Sequence, residues 1–142
     1  LYFKTKIGSD IEDFSVSYFI LKKEAHQMSR FTQLAIVSGK KALADAHLIL
    51  NETNQRKMGI VLGTGIGGIE VIEDQHKAFM EKGPGKINPF AAAASVRHAA
   101  STGVSIHLGV KGPNMTGSSG PGRNDDYGRN RSAFVRTHFC HF

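Results

Sequence analysis

The 142-residue sequence has room for one domain at most and carries a net charge of +6, from 18 Lys and Arg against 12 Asp and Glu. Its single Cys excludes an intramolecular disulfide framework and a multi-cysteine zinc site. No apolar run reaches the roughly 18 residues that a membrane helix needs. The positive charge suits nucleic acid or an acidic protein as a partner and does not choose between them.

The first clear element is an amphipathic helix over Met28–Ala46. Apolar residues recur there at steps of three and four, with charged residues such as Arg30 and Lys41 between them. The preceding residues 14–21 are apolar but irregular, which indicates a loop or a short helix. After the helix, residues 51–57 form a polar connector.

A buried strand and a second helix follow the connector. Met58–Leu62 is a short apolar run of the kind found in buried strands. A glycine-rich turn over residues 63–68 leads into a helix from about Ile69 to Met80, and the Gly-Pro-Gly at residues 83–85 ends it.

The next segment gives two conflicting signals. Residues 91–100 are rich in Ala and favour a helix. Val104, Ile106 and Leu108 alternate with polar residues, which locally favours a strand. From Gly117 onward the sequence has no apolar period of either kind, so we expect loop or disorder there.

Gly63, Gly65 and Gly68 form a G-x-G-x-x-G pattern between a predicted strand and a predicted helix. Such a turn can cradle a pyrophosphate on backbone N–H groups. A dinucleotide site also needs an acidic residue about 20 residues farther on, at the end of the next strand. Residues 86–90 read Lys-Ile-Asn-Pro-Phe, with no acid and no strand. A structural turn is therefore favoured, and a nucleotide cofactor is the weaker alternative.

Three potential ligands of a soft metal lie near the end of the chain, His138, Cys140 and His141. They lack the paired spacing of zinc sites, so we interpret them as part of an incidental tail and predict no metal. Four Arg residues of the same tail could contact phosphates, but few aromatic residues alternate with them. Nucleic acid is therefore not a predicted partner.

Six short blocks carry a family likeness across residues 1–116. They are Ser29-Arg-Phe-Thr-Gln-Leu-Ala, Lys40-Lys-Ala-Leu-Ala-Asp-Ala, Gly63-Thr-Gly-Ile-Gly-Gly, Glu81-Lys-Gly-Pro, Ile87-Asn-Pro-Phe and Gly109-Val-Lys-Gly-Pro-Asn. In order and spacing, these blocks resemble the β-ketoacyl-acyl carrier protein synthases, the elongating condensing enzymes of fatty acid synthesis.

The resemblance implies an α/β chain that is the incomplete N-terminal portion of a thiolase-like fold. The complete fold has α-β-α-β-α layers and is usually a homodimer. Residues 1–116 would be part of the N-terminal β-ketoacyl synthase domain, with the opening strand missing before Leu1 and the second half missing at the other end. Residues 117–142 are predicted as a divergent, irregular or disordered tail. Residues 88–108 are largely helical in this family, which outweighs the local strand pattern.

The resemblance implies a reaction in two steps. A Cys thiolate first accepts an acyl chain from a carrier thioester. Malonyl-acyl carrier protein then loses CO₂, and the carbanion that forms attacks the acyl-enzyme. No cofactor takes part, and two His residues of the second half stabilise the developing charges. Counted without gaps, the nucleophile position falls on Pro121, so we predict no catalytic residue in this chain. Val96 falls at a position that lines the acyl pocket in relatives.

The predicted function is therefore that of a fragment, or misread product, of a 3-oxoacyl-[acyl-carrier-protein] synthase that is inactive alone. Its expected partners are acyl carrier protein and acyl or malonyl thioesters, with no membrane association. The alternative is a non-catalytic homologue that binds an intact synthase. The resemblance places such a protein in the cytoplasm of a bacterium, or in the plastid or mitochondrion of a plant.

Overall fold

The computed structural model describes residue 11, residues 14–117 and the backbone of residues 133–138. The helices are α1 (Lys22–Ala25), α2 (Arg30–Asp45), α3 (Ile69–Lys82), α4 (Ala91–Ser95) and α5 (Ala99–Leu108), and the strands are β1 (Met58–Gly63), β2 (Asn114–Gly117) and β3 (Ala133–His138). A 3₁₀ turn covers Pro84–Lys86. Within this part of the chain, no helix is long and apolar enough to cross a bilayer.

β1 is the central strand of a parallel sheet with the order β2-β1-β3. Ile60 lies opposite Asn114 on one side and Val135 on the other. The first five residues of β1 are buried, as expected for a parallel strand that is covered on both faces.

The approach to β2 depends on one glycine. The backbone N–H of Gly112 donates to the carbonyl oxygen of Met58 at 3.0 Å. A Cβ atom at Gly112 would lie 2.2 Å from that oxygen. Only glycine therefore allows the chain to enter β2 so close to β1.

Two helices supply most of the core above the sheet. α2 and α5 pack against each other, while α5 also contacts β1 and β2 and α2 contacts β3. The buried apolar cluster includes Phe31, Ala35 and Ile36 of α2, Ile60 and Leu62 of β1, and Ala100 and Val104 of α5. Removing this apolar surface from water is the main favourable contribution to folding.

The predictions for α2, β1 and α3 are confirmed to within two residues at each end. The local strand interpretation of Val104, Ile106 and Leu108 is wrong, because these residues belong to α5. In a helix, residues 104 and 108 share one face and residue 106 lies across from them. Accordingly Val104 is buried, Leu108 packs against the core and Ile106 is 72% exposed.

The prediction of an irregular tail needs a correction. Ala133–His138 forms β3, which pairs along its whole length with β1. The backbone hydrogen bonds of a parallel ladder do not require an apolar period, so the composition of the tail did not reveal this strand. Residues 118–132 and 139–142, with Pro121, Cys140 and His141, lie outside the described residues. The domain boundary after residue 116 stays a prediction.

Candidate functional site

A cavity of about 290 Å³ lies where the start of α2 meets the α4–α5 segment. Its walls are mainly short or apolar side chains, among them Met28, Ala94, Val96, Ala99 and Ile106. Four polar residues also line it, Gln27, Thr32, His98 and Thr102. Such an apolar cleft with a few polar groups is typical of sites for small apolar ligands.

Val96 lies in this wall because the helix breaks there. α4 ends at Ser95, Val96 is extended with φ −72° and ψ 145°, and α5 begins at Ala99. The Val96 side chain is 38% exposed. The break therefore places an apolar side chain at the cavity rather than inside the core.

The glycine-rich turn before α3 supports the same break. The N–H of Gly68 donates to the carbonyl oxygen of Ser95 at 3.2 Å. A Cβ atom at Gly68 would lie 2.7 Å from the carbonyl oxygen of Ala94, so the close approach requires glycine. Gly67 has φ +96°, which side-chain-bearing residues rarely adopt. The turn thus packs against the α4–α5 segment, a contact that the predicted strand-to-helix turn did not include.

Hydroxyl groups connect α5 to β2 beside the cavity. The hydroxyl of Ser101 donates to the carbonyl oxygen of His98 at 3.1 Å, and its oxygen lies 2.6 Å from Oγ1 of Thr116. The two hydroxyl groups are therefore hydrogen-bonded to each other, and either oxygen can be the donor. The Asn114 amide adds a bond of 3.0 Å to the carbonyl oxygen of Ser101. These bonds hold β2 against the start of α5.

Of the residues singled out in the sequence, the structure places Val96 at the cavity. Pro121, Cys140 and His141 lie outside the described residues, and only the backbone of His138 is described. Within the described ranges, no three His, Cys, Asp or Glu residues lie close enough together to hold a metal.

Sequence reasoning missed most of the cavity lining. The sequence pattern includes Met28 in an apolar helical stripe, but this residue precedes α2 and lines the cavity. The local pattern around Ile106 favours a strand and the family resemblance a helix, and neither indicates that Ile106 lies on the exposed side of α5 and reaches the cavity. The one available signal was Ile106 itself, an apolar residue opposite the helical face of Val104 and Leu108.

Residues 3–120 match the family model described as "Beta-ketoacyl synthase, N-terminal domain". The chain is 39% identical over 109 residues to 3-oxoacyl-[acyl-carrier-protein] synthase 2 of Synechocystis sp., covering 77% of this chain and 26% of that protein. It is 41% identical over 112 residues to the Staphylococcus aureus synthase 2, covering 79% and 28%.

Solved structures show the same fold. A chain in the complex of a type II PKS acyl-carrier protein with its ketosynthase bound to the hexaketide has a TM-score of 0.67 at 24% identity, over 77% of this chain and 31% of that one. The ishigamide ketosynthase/chain length factor has a TM-score of 0.66 at 24% identity, over 73% and 26%. The fold is therefore the N-terminal portion of a thiolase-like α/β fold.

With a family match over most of its length, the chain belongs to the β-ketoacyl synthase family. It is similar to the N-terminal portion of the 3-oxoacyl-[acyl-carrier-protein] synthases and spans about a quarter of the length of these curated relatives.

Proposed function

We propose that this chain forms one wall of the acyl pocket of a 3-oxoacyl-[acyl-carrier-protein] synthase, an acyltransferase of fatty acid elongation. The observation that carries the proposal is the apolar cavity of about 290 Å³, with Val96 in its wall. An alkyl chain gains about 0.8 kcal/mol for each methylene group that leaves water. Met28, Val96 and Ile106 offer such a surface without a charged group.

The same proposal holds that the chain by itself does not catalyse condensation. Proline at position 121 has no thiol that could form an acyl-enzyme. It also has no backbone N–H to donate to a thioester oxyanion. Both contributions of the nucleophile position are absent together, so the chain binds acyl groups without transferring them.

Under this proposal the partner is acyl carrier protein with its acyl or malonyl thioester. The curated relatives carry the carrier protein in their names, and one similar structure is a ketosynthase in complex with its acyl-carrier protein. The net charge of +6 favours an acidic carrier. The same proposal holds that the complete protein assembles as a homodimer and is located in the bacterial cytoplasm or in a plant plastid or mitochondrion.

Acyl binding is tested by titrating the chain with decanoyl-pantetheine, an uncharged thioester with an apolar chain. We expect saturable binding that Val96→Trp weakens at least tenfold, because the indole would fill the cavity. Ile66→Trp is the matched control, since Ile66 is 64% exposed and lies outside the cavity lining. No saturable binding by the unmodified chain, or equal loss in both variants, would refute the acyl-pocket proposal.

Inactivity is tested by supplying decanoyl- and malonyl-acyl carrier protein and measuring release of CO₂. We expect no release above that of the carrier proteins alone. Condensation at a rate well above this background would show that another group replaces the Cys thiolate.

A second candidate function is that of a non-catalytic homologue that binds an intact synthase. It is favoured by the apolar residues that α3 exposes, Ile69, Ile72, Phe79 and Met80. Sedimentation of the chain with an intact 3-oxoacyl-[acyl-carrier-protein] synthase would show a complex at micromolar concentration, and Phe79→Glu would weaken it. Absence of a complex at that concentration counts against this candidate.

A further inference from the structure

Three polar side chains line the cavity without a partner in the part of the chain that the structure describes. The amide of Gln27, the imidazole of His98 and the hydroxyl of Thr102 make no hydrogen bond to another described residue. All three residues are exposed. The fourth polar residue of the lining differs, because Thr32 is 3% exposed and its hydroxyl pairs with that of Ser29 at 2.9 Å. The first three are therefore available to a ligand.

Hydrogen bonds fix the backbone positions that carry these groups. His98 and Thr102 lie one turn apart at the start of α5, where the N–H of Thr102 donates to the carbonyl oxygen of His98 at 3.0 Å. Gln27 lies in the other wall, just before α2. The Gln33 amide connects that wall to α2, because its Nε2 donates to the carbonyl oxygen of Ala25 at 2.8 Å. The two walls are thus positioned before a ligand enters.

The hydrogen-bonding capacity of the three side chains indicates which ligand group they suit. All three can donate a hydrogen bond, and the side-chain oxygens of Gln27 and Thr102 can also accept one. No Lys, Arg, Asp or Glu is part of the described lining, so no opposite charge would offset the desolvation of a charged ligand group. A hydroxyl group is neutral and both donates and accepts, so it matches this set.

An unsubstituted alkyl chain would leave the same groups without partners. A chain that fills the cavity covers the polar part of its lining and excludes water from it. Polar groups that lose water without gaining another partner lower the affinity. A hydroxyl group on the chain replaces the lost hydrogen bonds, and a site of this kind discriminates against the analogue that lacks the hydroxyl.

We propose that the cavity is a site for hydroxylated acyl chains. The side chains of Gln27, His98 and Thr102 bind the hydroxyl group of the chain, and the apolar walls bind its methylene groups. The inference rests on the proposed function, because it assigns a substrate class to the same acyl pocket. Thr102 becomes a specificity-determining residue, since it lies one turn from both His98 and Ile106 on the face of α5 that lines the cavity.

The experiment compares decanoyl-pantetheine with derivatives that carry one hydroxyl group at carbon 3, 6 or 10 of the acyl chain. Each is titrated into the 142-residue chain. In a purely apolar cavity a hydroxyl group weakens binding, because it loses its water partners. We expect instead that at least one derivative binds about two- to tenfold more tightly than the unsubstituted chain, which corresponds to one net hydrogen bond.

Three variants test whether this preference depends on Thr102. Thr102→Val removes the hydroxyl at an exposed helical position, where Val and Thr have similar helix propensities, so the variant should fold. It should abolish the preference and leave the affinity for decanoyl-pantetheine within about twofold, whereas Thr102→Ser should retain the preference. Thr53→Val makes the same change at an exposed position outside the cavity lining and should alter neither affinity.

The outcomes separate this inference from the proposed function. If decanoyl-pantetheine binds and no hydroxylated derivative binds more tightly, the acyl pocket stands and the inference is overturned. A preference that persists in Thr102→Val would place the hydroxyl group elsewhere and would also overturn it. If no thioester binds at all, the acyl-pocket proposal fails and the inference fails with it.

Discussion

α2 and α3 lie on either side of β1 in the sequence and share an amphipathic pattern, yet their burial is opposite. Seven residues of α2 are buried, whereas α3 has none. Ile72 of α3 is 55% exposed and Met80 is 70% exposed, while Ile36 of α2 is fully buried. Similar apolar periodicity thus accompanies two different environments.

The neighbours of each helix explain the difference. α2 packs against the ten-residue helix α5 and contacts β3, so two long elements cover it. In the described part of the chain, α3 makes its extensive contacts with two short elements, the five-residue α4 and the 3₁₀ turn. Apolar periodicity shows which face of a helix gains from cover, but it does not show which part of a structure provides that cover.

The largest expected effect separates the two helices directly. Ile36→Ala should lower the free energy of unfolding by about 2–5 kcal/mol, because it leaves a cavity in the α2–α5 core. The matched change Ile72→Ala should alter it by about 0.5 kcal/mol or less, since Ile72 is already in contact with water. Urea denaturation followed by circular dichroism measures both values.

A cost of several kcal/mol for Ile72→Ala would break the comparison. It would mean that α3 is covered in solution, for instance by a second copy of the chain. Repeating the measurement over a tenfold range of protein concentration would then distinguish self-association, which makes stability concentration-dependent, from cover within one chain.

Sequence reasoning succeeded where a local pattern and the surrounding structure agree. The apolar run of β1 predicted a buried strand, and the three- and four-residue steps of α2 predicted its helix. The pattern failed at Val104, Ile106 and Leu108, because three residues at spacings of two fit both a strand and one helical turn. Val104 lies in the buried cluster that includes Ile36 of α2, and Leu108 packs against this cluster. These long-range contacts favour the helix.

The site was less predictable than the fold. Val96 was placed at an acyl pocket through family resemblance, and nothing in its local sequence indicates a cavity. The cavity depends on the break between α4 and α5, which is held by the N–H of Gly68. That contact spans 27 positions in the sequence, from residue 68 to residue 95, so no local pattern encodes it.

An intermediate effect is expected at the turn between the two regions. Gly68→Ala would place a Cβ atom 2.7 Å from the carbonyl oxygen of Ala94, so the backbone must shift. We expect a loss of about 1–3 kcal/mol in unfolding free energy. Weaker binding of decanoyl-pantetheine should accompany it, because the same contact supports Val96. Thermal and urea denaturation give the stability, and titration gives the affinity.

Gly85→Ala is the control for this change, since no atom lies within 4 Å of a Cβ at that position. Equal stability of the two variants would contradict the structural role of the turn. A rise in melting temperature of the unmodified chain with excess dinucleotide would point instead to the cofactor alternative.

The smallest expected effect concerns a polar contact between α2 and α3. The carboxylate of Glu70 accepts a hydrogen bond of 3.1 Å from the backbone N–H of Arg30, in the first turn of α2. The preceding residue, Ser29, provides no side-chain cap, because its hydroxyl pairs with Thr32 at 2.9 Å. Glu70 therefore acts as a cap supplied by another helix, where its negative charge also suits the positive end of the α2 dipole.

Glu70→Gln keeps the shape and an accepting oxygen but removes the charge, so we expect a loss of about 0.3–1 kcal/mol in unfolding free energy. The loss should shrink at 1 M salt, where charges are screened over about 3 Å. Glu73→Gln on the same helix is the control and should change little, since Glu73 is exposed and has no contact of this kind in the described residues. A salt-independent loss would show that hydrogen-bond geometry rather than charge couples the exposed helix to the buried one.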